Sequence, residues 1–554
     1  MHNPHFFVPF ASFESIFQEV TMSEDVSLPE QQAISEQSTE ESAVQPAPEP
    51  QPSSQLSPQP RKGFWGKVDN WFGITKSGSN YRTEIVAGVT TFMAMVYILM
   101  VNAEMFQGPL GAAGSEYPYG AAYIATAIGA IVGTMLMAFL AKMPLAQASG
   151  MGINAFIVFT LLDSATGLTY ANTMVFVLLD GVVFLLLTVT GLRKKIFEAI
   201  PAAVRHAVPV GIGLFIAFIG MQQAGIIVNN NSTLTGFISF NVLGSGEFMT
   251  YEGGTVGGML PAIVAILGVI AIAILSKKNV KGAILWGLLG SAVLYYVLAA
   301  IAYGANVAAA AAMFNEFESI ENPFSAFVAW GKDSVGAVFY EGFNFDNYLN
   351  TGSNNPGTLV VVLITSAISL CMIDMFDTIG TLYGACSKGN LLDENGTPIR
   401  MEKMMLADAI ATCTGAIAGT STVTTFVESS SGVAAGGRTG FTALVTGLCF
   451  IVAMFLSPIA QLIPRCATAT ALIWVGVLMM SSVTKVDWSD AADAIVAFMT
   501  FMVMLLGYSI SKGIGMGIIT FMLVKICTGK IKQISVATWV IGVIFLITFL
   551  ISSV

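Results

Sequence analysis

Four carboxylates stand in strongly apolar sequence: Asp374, Asp377, Asp408 and Glu428, all within Cys371–Gly437. A charged side chain at the centre of a membrane helix costs roughly 2.5–3.5 kcal/mol by insertion scales, so such groups persist where they bind or carry something. Asp374 and Asp377 are three residues apart, about one helical turn, and share a helix face. Two carboxylates held that close in apolar surroundings repel one another as anions. That repulsion lets one of them take up and release a proton near neutral pH. Glu428 follows the hydroxyl-rich run Thr420–Thr425 and precedes the small, glycine-rich run Ser429–Gly437. There it can accept backbone N–H bonds at a helix N-terminus, or face a cavity and accept two hydrogen bonds from a planar ligand. Asp408 begins an otherwise apolar helix, and a site role and a tie between two helices are both open for it. Backbone that is not helical at membrane depth survives only where it is buried in protein or lines a wet cavity. The stretch reads as a binding site inside a membrane protein.

Composition agrees. The chain of 554 residues is 55% hydrophobic and only 10% charged, against about 25% charged in an ordinary soluble domain. Apolar runs long enough to span a bilayer follow one another, so the fold class is an all-α polytopic integral membrane protein in contact with lipid. The net charge of −10 does not describe an acidic membrane part. Residues 1–60 hold nine Asp or Glu and no Lys or Arg. That acidic tail is rich in Gln, Ser and Pro and is expected to be disordered. Its opening HNPHFFVPFASF lacks a basic start and is interrupted by proline, unlike a signal peptide, and Met22 is an alternative start. The segment 61–83, with RKGFWGKVDNWFG, mixes basic and aromatic residues and is expected to form an interfacial amphipathic helix. The six cysteines make no CxxC pair and the three histidines are scattered, so no metal site, cofactor or enzymatic nucleophile–base pair is expected. No nucleic-acid partner is expected either.

The elements that must position the carboxylates are membrane helices. Spans are expected near 84–106, 120–141, 173–191, 203–228, 258–276 and 282–304, then 357–385, 403–419, 440–462, 466–483 and 534–552. Short interrupted segments lie at 149–162 and 422–435, and 489–529 breaks at Ser509–Gly517. Lys and Arg recur in alternate loops (Lys142, Arg193–Lys195, Lys277–Lys281, Lys388–Lys403), whereas loops 106–119, 163–172 and 228–257 have none. This bias places the N-terminus in the cytoplasm. Arg205 and His206 read as interfacial residues, and Glu104 and Asp180, nearer span ends, as structural ones. The GIGMGI at 513–518 has no βαβ context and reads as helix packing rather than a dinucleotide loop.

The chain also repeats itself. In IPAAVRHAVPVGIG, Ile200–Pro201 precedes Gly213; in IPRCATATALIWVG, Ile463–Pro464 precedes Gly476 at the same spacing. Each follows one long span, which itself follows a short interrupted segment. Seven elements per half, an odd number, would set the halves in opposite orientations, with a transporter's site between the paired breaks. Asn154 lies at the first-half break in GMGINAF, either as a site residue or as a cap.

The segments EIVAGVTTFMAMVYILMVN, ASGMGINAF, DMFDTIGTLYG and GTSTVTTFVESSSGVAAGGRTG resemble those of the AzgA-like purine permeases, a branch of the nucleobase–cation symporters. One departure is Ala103 after Asn102, where the family usually carries proline. The resemblance implies the uracil-permease fold: 14 transmembrane segments as two inverted seven-segment repeats, with short strands in segments 3 and 10. It implies a core domain from 84–198 and 357–462 and a gate domain from 199–304 and 463–554, the loop 305–356 being extracytoplasmic. Purine nucleobase (guanine, hypoxanthine, adenine or xanthine) would be imported with protons across the plasma (inner) membrane by an elevator-like movement. A homodimer through the gate domain is also implied. Glu428, Asp374, Asn154, Phe156, Thr424 and Thr425 would bind substrate, with Phe156 stacking on it. Asp374, Asp377 and Glu428 would handle the coupling proton. The alternatives are a transporter of another nucleobase or an anion on the same fold, and, much less favoured, a membrane enzyme.

Overall fold

The computed structural model describes residues 63–107, 117–162, 166–192, 200–230, 234–238, 259–304, 314, 317, 322–352, 354–394 and 396–551. The acidic tail at 1–60, the basic run at 193–195 and most of 305–321 lie outside the described residues.

Among the described residues, nine helices are long and apolar enough to cross a membrane, the first being Tyr81–Gln107 and the last Ile510–Cys527. Shorter apolar helices cover Met151–Leu161, Gly440–Met454, Ala491–Leu506 and Val536–Leu550. Their starts follow local chemistry. Asn80 accepts from the Thr83 amide, and Thr169 with Asn172 and Asn355 with Thr358 form reciprocal caps. Each satisfies N–H groups that a helix start leaves without partners. The first span is interrupted at Val96, between Tyr81–Met95 and Tyr97–Gln107.

Before the first span, Phe64–Phe72 forms a helix of two unlike faces. Phe64, Trp65 and Trp71 are 72%, 59% and 57% exposed, while Phe72 and Ile74 bury against Phe441. The Lys142 ammonium sits 4.1 Å from the centre of the Trp71 ring, a cation–π contact.

The expected break at Ser509–Gly517 is shorter in the structure. Helix Ala491–Leu506 ends, Gly507–Ser509 turns with Tyr508 in the left-handed region at φ 48°, and Ile510–Cys527 begins at once. The glycines of GIGMGI are helical because the two helices pack closely. A Cβ at Gly513 would lie 2.7 Å from the Thr500 carbonyl oxygen. Small residues at such crossings let backbones approach where no hydrophobic effect drives helices together.

Two groups of helices emerge. Tyr81–Gln107, Tyr119–Ala141, Tyr170–Val189, Met401–Ala418 and Gly440–Met454 pack on one another. Ala202–Gln223, Met259–Lys277, Ala283–Gly304, Arg465–Lys485 and Ala491–Leu506 form the other group. Helix Pro356–Lys388 packs on Tyr170–Val189 from the first group and also touches Ala202–Gln223 from the second. In that second group Gly213 and Gly476, the glycines of the two equally spaced Ile-Pro…Gly runs, meet. A Cβ at Gly213 would lie 2.9 Å from the Gly476 carbonyl oxygen and 3.6 Å from its Cα.

A carboxylate not singled out in the sequence fastens the first group. Glu84, fully buried, accepts from the Thr439 and Thr442 hydroxyls at 2.8 and 2.6 Å and from the amides of Arg438, Thr439 and Thr442. It caps helix Gly440–Met454 from another helix, an anion at the positive end of a helix dipole.

Candidate functional site

At the centre of the first group, strand Gln147–Ser149 pairs antiparallel with strand Val423–Thr425, Gln147 opposite Thr425 and Ser149 opposite Val423. Two further backbone bonds extend the ladder, Gly150 N to Thr422 O at 3.0 Å and Phe426 N to Ala146 O at 3.1 Å. The β-branched run Thr422–Thr425 favours extended backbone. Pairing supplies the hydrogen bonds that neither segment could find in lipid. The strands are closely held. Thr134 Oγ1 bonds both the amide and the carbonyl of Gln147 at 3.1 Å, and Thr412 Oγ1 donates to the Val423 carbonyl at 3.2 Å. Helix Tyr119–Leu136 can approach because residue 133 is glycine; a Cβ there would stand 2.8 Å from Gln147 Oε1.

Each strand leads towards a short helix, Met151–Phe156 from the first half and Ser429–Ala434 from the second. Beside these junctions lies a cavity of about 240 Å³, lined in part by Asp377, Glu428, Thr425, Phe376 and Phe426. Its opposite wall comes from Ala202–Gln223 and Arg465–Met479, including Ile212, Ile216 and Val475. A few polar groups converging in an apolar recess are the usual make-up of a small-molecule site.

The four carboxylates divide into two pairs. Glu428, 7% exposed, faces the cavity, and its Oε1 accepts a 2.7 Å hydrogen bond from the Tyr97 hydroxyl. Asp377, half-buried, faces the same cavity from helix Pro356–Lys388. Three residues turn a helix by about 300°, so Asp374 points some 60° away from Asp377. Asp374 and Asp408 are fully buried behind the second strand. Between them stands Thr378, whose Oγ1 is 3.2 Å from Asp374 Oδ1, 2.9 Å from Asp408 Oδ2 and 2.8 Å from Thr424 Oγ1. A hydroxyl has one proton to donate, so it serves one of these acceptors at a time. Gln147 Nε2 donates to Asp408 Oδ1 at 3.2 Å and to Thr425 Oγ1 at 3.3 Å, tying the first strand to the second half.

The remaining residues expected at the site are placed unequally. Thr425 lines the cavity, whereas Thr424 turns its hydroxyl inward to Thr378. Asn154 is fully buried, and its Oδ1 accepts from the Ser421 hydroxyl. It bonds the chain leading into the second strand rather than lining the recess. Phe156, expected to stack on the ligand, instead lines a separate cavity of about 310 Å³ with Thr160, Thr365 and Lys512. The rings at the candidate site are Phe376 and Phe426. Asp180 accepts from Thr422 Oγ1 at 3.2 Å and Glu104 from Thr468 Oγ1 at 2.6 Å, both ties between segments.

Tyr97, Gln147, Thr378, Phe376 and Phe426 were not read from the sequence as site residues. Tyr97 carried a usable signal, a hydroxyl within an apolar span where it must find a partner. Phe376 and Phe426 look like any core phenylalanine.

The sequence pattern of the Permease family (Xan_ur_permease) matches residues 82–516. Guanine/hypoxanthine permease PbuO of Bacillus subtilis is 35% identical over 479 residues, 86% of this chain and 99% of the relative. Adenine permease AdeP of Escherichia coli is 34% identical over 482 residues, 87% of this chain and 96% of the relative. Among solved structures, the murine Solute Carrier 26 family member A9 anion transporter, in its inward-facing state, aligns with a TM-score of 0.52 at 12% identity. It covers 95% of this chain and 77% of its own, a likeness of fold alone. With apolar helices built around a buried polar recess and a match spanning most of its length, the chain belongs to this permease family, as an integral-membrane transporter and not an enzyme.

Proposed function

We propose that this transporter imports purine nucleobases by proton symport. The observation that carries the reading is the convergence of Asp377 and Glu428 on one recess beside the paired strands. A purine presents N–H donors along its edge and two flat apolar faces. The carboxylates accept from the edge, Glu428 being held in place by Tyr97, and the recess walls, including Phe376 and Phe426, cover the faces. Relatives named as guanine/hypoxanthine and adenine permeases support the same substrate class.

The proton neutralises a site carboxylate. A loaded, neutral core then crosses the apolar surface of the gate more readily than an empty, charged one, because burying an unpaired charge is costly. In this reading the 14 segments form two inverted sevens. The first helix group with Pro356–Lys388 is the moving core and the second group is the gate, which also provides a dimer surface. The N-terminus is cytoplasmic, the membrane is the plasma (inner) membrane and no cofactor takes part. Asp374 and Asp408 act behind the strands: they hold the second strand and share the proton's field with Asp377.

The test is uptake of radiolabelled hypoxanthine into cells lacking their own purine permeases, at two pH values, with guanine, adenine, xanthine, uracil and sulfate as competitors. Uptake that rises at acidic pH, yields only to purines and is lost in Glu428→Gln is the expected result. Uptake that follows a sodium gradient and ignores pH overturns the coupling. Competition by sulfate alone would favour the second reading, an anion carrier on the fold shared with the solute carrier structure. Two carboxylates facing the cavity would repel an anion, which is why that reading ranks second.

A further inference from the structure

The recess does not end at the carboxylates. A second cavity of about 720 Å³ continues from it, the two sharing Pro209, Phe376, Gly380, Gly384, Ser482 and Lys485 in their walls. Beyond the shared residues it is lined by Arg205 and His206 on one side and by Tyr383 and Ser387 on the other. Lys485 borders both cavities. Arg205, His206 and Lys485 thus stand in the wall of one cavity. Among the described residues lining this outer cavity there is no carboxylate. The lining therefore changes along its length, with the acceptor carboxylates Asp377 and Glu428 at the inner end, Lys485 where the two cavities join, and Arg205 and His206 at the outer end.

A nucleobase uses only the inner end. The whole space suits a molecule with a purine at one end and an anion at the other. We propose that a purine 5′-mononucleotide binds here, its base against Asp377 and Glu428 and its phosphate against Arg205, His206 and Lys485. This inference rests on the purine reading of the inner recess. The chemistry matches at both ends. A phosphate monoester carries about −1.5 to −2 charges at pH 7, and a guanidinium meets its oxygens with paired N–H donors. The ribose spans the shared stretch past Gly380, Gly384 and Ser482. Bound across both cavities, the nucleotide wedges its charged phosphate between core and gate, so the core cannot slide. It is an inhibitor rather than a cargo. The outer cavity lies at the end of helix Pro356–Lys388 that carries Tyr383 and Ser387, the end the basic loops assign to the cytoplasm. A cell already rich in purine nucleotide would thereby close its own importer.

The experiment is displacement of radiolabelled hypoxanthine from the purified full chain by inosine, inosine 5′-monophosphate and inorganic phosphate. It is repeated in vesicles of neutral phosphatidylcholine with and without phosphatidylglycerol. The nucleotide is expected to displace hypoxanthine at least about tenfold more tightly than the nucleoside, and to lose that advantage in the double variant Arg205→Gln/His206→Gln and at high salt. Hypoxanthine binding by the variant shows that it is folded, and salt dependence in the unmodified chain is an independent check. If nucleotide and nucleoside bind alike while hypoxanthine binding is intact, the inference fails and the purine site stands. If hypoxanthine does not bind folded protein, the purine reading itself fails. Phosphate alone matching the nucleotide, or phosphatidylglycerol abolishing displacement, would make the outer cavity a simple anion or lipid headgroup site and overturn the inference.

Discussion

Tyr97 and Glu428 are 331 residues apart in sequence, and the hydroxyl of one donates to the carboxylate of the other at 2.7 Å inside the protein. The bond joins the interrupted first span to the junction between the second strand and its short helix. It fixes one carboxylate oxygen and directs the rest of Glu428 to the cavity. A hydrogen bond to a charged group contributes about 1.5–3 kcal/mol, so Tyr97→Phe should raise the KM for purine uptake by roughly 10- to 100-fold. Glu428→Gln should abolish uptake. Radiolabelled uptake with surface expression measured in parallel separates these outcomes, and an unchanged KM in Tyr97→Phe would remove Tyr97 from the site.

Asp377 and Asp374 should separate experimentally as they do spatially. Asp377→Asn leaves a neutral group facing the cavity. Uptake driven by a proton gradient is expected to fall to background, while exchange of internal for external purine, which needs no net proton movement, survives in part. Equal loss of both activities would mean that Asp377 serves binding and not coupling.

Gln147 is expected to matter for stability more than for recognition. Gln147→Ala leaves Asp408 Oδ1 and Thr425 Oγ1 without that donor. The cost should be about 1–3 kcal/mol, seen as a lower unfolding midpoint in detergent with the order of competing purines unchanged. A reordered competitor series would place Gln147 at the substrate.

Glu84→Ala removes the acceptor for two hydroxyls and three amides at the start of helix Gly440–Met454. Buried donors left without partners cost about 1–3 kcal/mol each. Glu84→Ala is expected to be poorly expressed, and Glu84→Gln, which keeps one acceptor oxygen, to be partly rescued. Expression and thermal midpoint report both, and a well-folded Glu84→Ala would refute the capping role.

Gly213 and Gly476 should tolerate no side chain of any size. A Cβ at Gly213 would sit 2.7 Å from Met479 Cβ as well as 2.9 Å from the Gly476 carbonyl oxygen. Valine at either position is expected to separate helices Ala202–Gln223 and Arg465–Met479 and abolish transport, whereas valine at the open position Gly290 should be neutral. Size-exclusion profiles of the three variants make the comparison.

Much of this protein follows from local sequence. The bilayer is a uniform solvent, so apolar run length fixes which segments span it, and intramembrane carboxylates advertise a site because their burial is expensive. Membership of a family was legible in contiguous motifs, and the two equally spaced Ile-Pro…Gly runs of the sequence meet at Gly213 and Gly476. The length of the break near 509 was overestimated: only Gly507–Ser509 turns, and the GIGMGI glycines, read from the sequence as helix packing, lie in helix Ile510–Cys527 with Gly513 and Gly517 against Thr500. Tertiary structure decided which members of each cluster do what. Asp374 and Asp377 share a turn, yet one bonds Thr378 behind a strand and the other faces a cavity. Asn154 and Phe156 flank the first-half break, yet one pairs with Ser421 and the other opens on a different space. These outcomes depend on the rotation of each helix against partners hundreds of residues away, and helical period and hydropathy, being local properties, do not specify it.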